Sequence, residues 1–130
     1  MNALIIILGA GFGGGIRHGV NVAVSQAVPD LEFPLATLII NVLGSFLMGV
    51  IAETFVLHGS GEHPLRLFLT TGVLGGFTTF STFSLDAVAL YDRGEIAAAG
   101  LYVLASVVAA LLGLVAGLAL ARTFLAGGVS

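Results

Sequence analysis

Gly72-Val73-Leu74-Gly75-Gly76-Phe77-Thr78-Thr79-Phe80-Ser81-Thr82-Phe83-Ser84 interrupts an apolar run that is otherwise long enough to cross a lipid bilayer. Paired glycines followed by Thr-Thr-Phe-Ser-Thr make a poor helix interior, because glycine costs about 1 kcal/mol there and β-branched threonine is also unfavourable. The hydroxyls can take up backbone groups that a helix break sets free. In a membrane, non-helical backbone survives only where protein or water covers it. The stretch therefore predicts a break from Gly75 to Ser81 near mid-bilayer. A continuous helix, with its hydroxyls bonded back to the preceding turn, is the competing reading. At a break, freed carbonyls can coordinate a small cation, and half-helix N-termini attract anions.

Outward from this stretch, the whole chain has the composition of a membrane protein. Of its 130 residues, 58% are hydrophobic and 8% charged, the mean hydropathy is +1.13, and there are 19 glycines. Soluble domains carry about 25% charged residues, and a body this small has too much surface to hide so much apolar area. Apolar stretches long enough to cross roughly 30 Å of hydrocarbon cover about 3–24, 35–57, 65–90 and 96–124. Pro29, Asp30, Glu32 and Pro34 follow the first, and His58-Gly59-Ser60-Gly61-Glu62-His63-Pro64 the second. Tyr91-Asp92-Arg93-Gly94-Glu95 closes the third, and a small tail from Ala126 to Ser130 follows the fourth. The expected fold is an all-α membrane protein of four transmembrane helices, the third broken, in one domain spanning 1–130.

Several function classes fall away. Four arginines, no lysine and a net charge of −3 leave no basic footprint for nucleic acid. The absence of cysteine excludes disulfides, thiolate metal sites and thiol nucleophiles. His58 and His63 flank the second loop without a carboxylate pattern that would make a metal site, and no nucleophile–base pair is visible, which argues against an enzyme. Met1-Asn2-Ala3 carries no positive charge, so no signal peptide is expected. Gly9-Ala10-Gly11-Phe12-Gly13-Gly14 matches G-x-G-x-x-G, but inside an apolar span it lacks the βαβ context that gives the motif meaning.

Arginines between spans set membrane orientation. With four spans, Arg66 and Arg122 fall on one side, and Arg93 and Arg17 on the other. Two against two instructs neither orientation. Either weaker signals choose one, or copies insert both ways and pair antiparallel. Small residues four apart let helices approach closely, as at Gly9/Gly13, Gly11/Gly15, Gly15/Gly19, Gly72/Gly76 and Gly113/Gly117.

Phe77, Phe80 and Phe83 recur every three residues, along one face of a helical stretch. An aromatic ring has a negative face and a positive edge, so ring edges can meet a small anion without trapping it, although packing is the ordinary role of such a stripe. Thr37, Asn41 and Ser45 form one polar line on the second span, and Tyr102 and Ser106 another on the fourth. Asn41 can donate two hydrogen bonds through its amide; helix–helix glue is the alternative role. Hydroxyls, an amide and ring edges, with no cation in mid-span, suit a desolvated anion that must leave as easily as it enters. Arg17, in a glycine-rich run, either draws anions into a vestibule or snorkels to the headgroups. His18 reads as an interface residue, Asp86 as a partner for Arg17 or a polar group near the pore mouth, and Glu53 as interfacial.

Gly75-Gly76-Phe77-Thr78-Thr79-Phe80-Ser81-Thr82-Phe83-Ser84, Thr37-Leu38-Ile39-Ile40-Asn41-Val42-Leu43-Gly44-Ser45 and the glycine-rich run ending at Arg17 resemble the Fluc/CrcB fluoride-channel family over the whole chain. The resemblance implies a fluoride-specific channel of the cell inner membrane, with passive fluoride export and fluoride resistance. It also implies an antiparallel, dual-topology homodimer with two pores. By similarity, Phe80 and Phe83 are the pore phenylalanines, Asn41 the amide donor, and Thr37, Thr79, Ser81, Tyr102 and Ser106 lie on or beside a polar track. Main-chain carbonyls of Gly75 and Thr78 from both subunits would hold a structural sodium ion (Na+). Ala110, one turn beyond Ser106, stands where relatives can carry another serine, so a shorter track is expected, and Asp86 stands where some relatives have a longer acid.

Two other classes are weighed. A small proton-coupled multidrug exporter wants a carboxylate deep in its first span and aromatics for organic cations; this first span has Arg17 and no acid, and the chain has no tryptophan. An accessory bundle of a larger complex would explain tight packing but not the broken span.

Overall fold

The structure, a computed structural model, describes residues 1–59 and 63–126. Ser60, Gly61 and Glu62 of the expected second loop, and residues 127–130 of the expected tail, lie outside the described residues. Helix α1 is Asn2–Ala27 and α2 is Leu35–Leu57. The third span is assembled from α3 (Pro64–Leu67), a wider π-helical stretch Phe68–Leu74, α4 (Gly75–Phe77) and α5 (Phe80–Asp92). The last span is α6, Ile96–Ala121, extended by a π-helical turn at Arg122–Ala126. All four spans are long and apolar enough to cross a membrane.

In hydrocarbon each unpaired backbone group is expensive, so even glycine-rich α1 is driven into a helix that pairs its own amides. The 26 residues of α1 rise about 39 Å at 1.5 Å each. It runs three residues beyond the expected end at Val24. Pro34 immediately precedes α2, where its missing N–H costs nothing. Helix α5 stops where Gly94 takes φ +83° and the Glu95 amide folds back onto the Leu90 carbonyl at 2.9 Å. Arg93 Nη2 donates to the Glu32 carbonyl at 3.4 Å, tying the loops after α1 and α5 at one end of the bundle. At the other end Arg122 Nε donates to Glu53 Oε1 at 3.0 Å. Glu53 is thus a buried carboxylate, paired with an exposed arginine, that pins α2 to the end of α6.

Backbone-to-backbone packing explains part of the glycine content. A Cβ on Gly13 would run into the Val73 carbonyl, and one on Gly76 into the Ala10 carbonyl, so α1 lies directly on the first half of the third span. Likewise, a Cβ on Gly117 would meet the Phe46 carbonyl and one on Gly49 the Leu114 carbonyl, where α2 meets α6. The expected Gly9/Gly13, Gly72/Gly76 and Gly113/Gly117 pairs all sit at such contacts. Gly11, Gly15 and Gly19 do not: an added Cβ there meets nothing within 4 Å.

The third span is bent, as its sequence predicts, but the interruption is only two residues wide. Thr78 (φ −78°, ψ 158°) and Thr79 (φ −152°, ψ 116°) are extended, while Gly75–Phe77 and Ser81 are helical. The continuous-helix reading fails at these two residues. Its hydroxyl back-bonding survives locally, with Thr78 Oγ1 donating to the Leu74 carbonyl at 2.9 Å and Ser84 Oγ to the Phe80 carbonyl at 3.0 Å.

The break also splits the phenylalanine stripe. Extended residues change the angular phase, so the three-residue spacing no longer aligns Phe77 with Phe80. Phe77 packs with Ile40 and Leu74 in one buried cluster. Phe83 belongs to a second, with Leu90, Ala99 and Tyr102. Phe80 is 78% exposed.

Candidate functional site

The break is held by α2. Asn41 Nδ2 donates to the Thr79 carbonyl at 2.9 Å, and the Thr79 amide donates to Asn41 Oδ1 at 2.8 Å. Only one orientation of the side-chain amide satisfies both bonds, because the oxygen must face the N–H. Thr79 in turn caps α5: its Oγ1 accepts from the Thr82 amide at 3.2 Å and donates to Thr82 Oγ1 at 3.1 Å. This is the ordinary threonine N-cap, which meets one of the donors left free at a helix start. Gly44 lets α2 come this close, since a Cβ there would overlap the Thr78 methyl group.

Two captured amides leave two carbonyls short, beside those of Gly76 and Phe77 left free where the helix ends. In an unbroken helix the Thr79 amide would go to the Gly75 carbonyl and the Thr82 amide to the Thr78 carbonyl. Here Asn41 takes the first and the Thr79 hydroxyl the second. Gly75 and Thr78 are the residues whose carbonyls the family resemblance implies as cation ligands, and Gly75 is exposed on the surface of the chain.

Two cavities share Thr79 as a lining residue. The first, of about 320 Å³, is walled by Asn41, Ser45, Thr79, Phe80, Phe83 and Ser106, and becomes apolar toward Met48, Ala110 and Leu114. The second, of about 240 Å³, is walled by Arg17, His18, Asn21, Thr37, Thr79 and Thr82. Thr79 is itself buried and borders both. Of the expected residues, Asn41, Thr79, Phe80, Phe83 and Ser106 come together in the first cavity. Thr37 and Arg17 come together in the second.

Ser106 is the informative hydroxyl. Its Oγ is the one buried side-chain polar atom among the described residues that has no hydrogen-bond partner. A buried hydroxyl without a partner costs stability, roughly 1–3 kcal/mol, and such groups in native proteins call for an explanation. This one borders a cavity that also holds two aromatic rings.

The rings form a packed chain. Phe80 and Phe83 have centroids 5.5 Å apart at 48°, Phe83 and Tyr102 5.2 Å apart at 42°, and Phe33 meets Tyr102 edge-on at 5.5 Å and 89°. Tyr102 is fully buried behind Phe83 and borders neither cavity. Its hydroxyl donates to Asp86 Oδ2 at 3.2 Å. Asp86 therefore takes its hydrogen bond from Tyr102, not from Arg17, and Arg17 has no ion-pair partner among the described residues. Ser81 is exposed and borders neither cavity, with its Oγ 3.4 Å from Thr79 Oγ1. Asn21 and Thr82 were not singled out from the sequence. Asn21 stands one helical turn after Arg17, so an i, i+4 polar line on α1 was there to be read.

Residues 4–118 match the family model described as CrcB-like protein, Camphor Resistance (CrcB). The chain is 52% identical over 124 residues to a protein of Methylobacterium nodulans named fluoride-specific ion channel FluC, covering 95% of this chain and 98% of the relative. It is 52% identical over 122 residues to fluoride-specific ion channel FluC 2 of Nitrobacter hamburgensis, covering 94% and 98%. With fluoride-specific ion channel FluC of Granulibacter bethesdensis the identity is 50% over 127 residues, covering 98% and 99%.

Proposed function

The chain belongs to the CrcB family, and on that premise we propose that it is a fluoride-specific ion channel of the cell membrane, letting fluoride leave the cell passively and so conferring fluoride resistance. The observation that carries the mechanism is the unpartnered Ser106 hydroxyl beside Phe80 and Phe83 in a cavity at the break. Among the described residues it is a neutral donor with nothing to donate to, in a wall whose other polar members are an amide and hydroxyls.

Fluoride entering the second cavity meets Arg17, whose charge raises the local anion concentration. Past Thr79 the wall holds no cation. There the ion exchanges water for the free Asn41 N–H, the Ser106 hydroxyl and the positive ring edges of Phe80 and Phe83. Neutral donors bind strongly enough to replace part of the hydration shell and weakly enough to let the ion go, the balance that conduction requires. Thr37 borders this route, Ser81 lies outside it with its hydroxyl beside that of Thr79, and Tyr102 supports its wall by backing Phe83.

Phe80, 78% exposed, and the exposed Gly75 leave the pore open on one side in a single chain. A second copy inserted in the opposite sense would close it, giving an antiparallel homodimer with two pores; the two-against-two arginine balance supports dual insertion. Gly75 and Thr78 carbonyls from both copies would supply four hard oxygen ligands to a sodium ion on the two-fold axis. Bound there, the ion supplies charge compensation for the freed carbonyl dipoles. What the chain's own residues do is free those carbonyls, through Asn41 and Thr79. Purified protein in liposomes should release fluoride to a fluoride electrode far faster than it releases chloride; equal leakage of both ions would reject the proposal.

A further inference from the structure

We infer that Asn41 is a positioning residue that fixes the two pore rings through Thr79, in addition to any contact it makes with the ion. The inference deepens the channel reading and rests on it only for its transport consequence.

Asn41 and Thr79 are 38 positions apart, on different spans, and exchange two hydrogen bonds of 2.9 and 2.8 Å. The pair reproduces across helices the reciprocal bonding that a strand neighbour would give, at the one place where the third span has abandoned its own ladder. Nothing in the span itself pairs the Thr79 amide, because that residue is extended and its helical acceptor is lost. The next residue is Phe80, and Phe83 lies one turn further on. The Thr79 hydroxyl caps the helix that carries both. The orientation of α5 at its first turn is therefore set by where Asn41 holds the Thr79 peptide. The amide has two N–H groups and one oxygen. The clamp uses the oxygen and one N–H, leaving a single N–H for the first cavity. Alanine removes both bonds. Aspartate keeps the acceptor for the Thr79 amide and loses the donor to its carbonyl.

The test uses the full chain in lipid nanodiscs, without fluoride for the structural readouts. Hydrogen exchange at the Thr79 amide and the ¹⁹F resonance of 4-fluorophenylalanine at position 83 are measured in wild type, N41A and N41D. Expected is at least a tenfold rise in Thr79 exchange and a displaced ring resonance in N41A. N41D should keep the amide protected, with a smaller displacement. Efflux from liposomes should fall at least tenfold in both. Unchanged exchange and ring signal in N41A, with efflux lost, would overturn the inference and leave Asn41 as an ion ligand alone. A displaced ring with unchanged efflux would overturn it equally. If N41A does not assemble, N41D carries the test: a ring signal identical to wild type refutes the positioning role. These two readouts stand even if wild-type protein proves not to conduct fluoride, so failure of the channel reading remains separately visible.

Discussion

Phe83 and Tyr102 face each other across α5 and α6 with ring centroids 5.2 Å apart, and the Tyr102 hydroxyl donates to Asp86 on the turn after Phe83. A buried tyrosine therefore braces a cavity-lining phenylalanine from behind, and its hydroxyl donates to Asp86, which lines neither cavity. This separates two duties that look alike in the sequence, since Tyr102 and Ser106 belong to one polar line on α6, yet only Ser106 reaches the cavity.

Replacing Phe80 or Phe83 by isoleucine should slow fluoride efflux at least a hundredfold while leaving the protein able to assemble. The aliphatic side chain fills similar space but has no positive edge. Efflux by electrode and elution on size exclusion give the two readouts. Near-normal flux in both variants would remove the rings from the mechanism.

Ser106→Ala should behave in an unusual way. Deleting a buried polar group with no partner relieves desolvation, so thermal stability should hold or rise by up to about 1 kcal/mol. Fluoride efflux should nevertheless drop about tenfold. A loss of stability with normal efflux would mean that the hydroxyl is structural.

The glycines on α1 should divide sharply. Gly13→Ala places a methyl against the Val73 carbonyl and should cost about 1–3 kcal/mol through overpacking, or prevent assembly. Gly15→Ala meets no atom of its own chain, so melting in detergent should show a change within about 0.5 kcal/mol. Equal losses would contradict the direct packing of α1 on the third span.

Removing the carboxylate charge in Glu53→Gln should lower the melting temperature only modestly, because Arg122 is largely exposed and the glutamine oxygen can still accept from it. Fluoride selectivity should not change, because Glu53 and Arg122 border neither cavity. A shifted fluoride-to-chloride ratio in this variant would place the pair on the conduction route.

The four helices were legible because hydrocarbon imposes a simple length and polarity rule, and Gly75-Gly76-Phe77-Thr78-Thr79 marked where the third would fail. The width of the failure was not legible. Thr79 is held there by Asn41, 38 positions away, and a local pattern carries no trace of such a partner. The same two extended residues rotate Phe77 away from Phe80, so a periodicity argument that assumes unbroken helix misplaces one ring of three. Asp86 could be matched to Arg17 by charge alone, whereas its neighbour on the adjacent span is the Tyr102 hydroxyl. Gly9, Gly13 and Gly76 read correctly as contact residues, but sequence spacing cannot tell them from Gly11, Gly15 and Gly19, which face away. The π-helical stretch at Phe68–Leu74 has no local signature that we can identify.

The central claim is that neutral donors and ring edges at a bent span select fluoride. A planar bilayer containing the wild-type protein, with fluoride on one side and chloride on the other, tests it most directly. The account predicts a reversal potential close to that of a membrane permeable to fluoride alone. A reversal potential near zero, showing both halides passing alike, would contradict it.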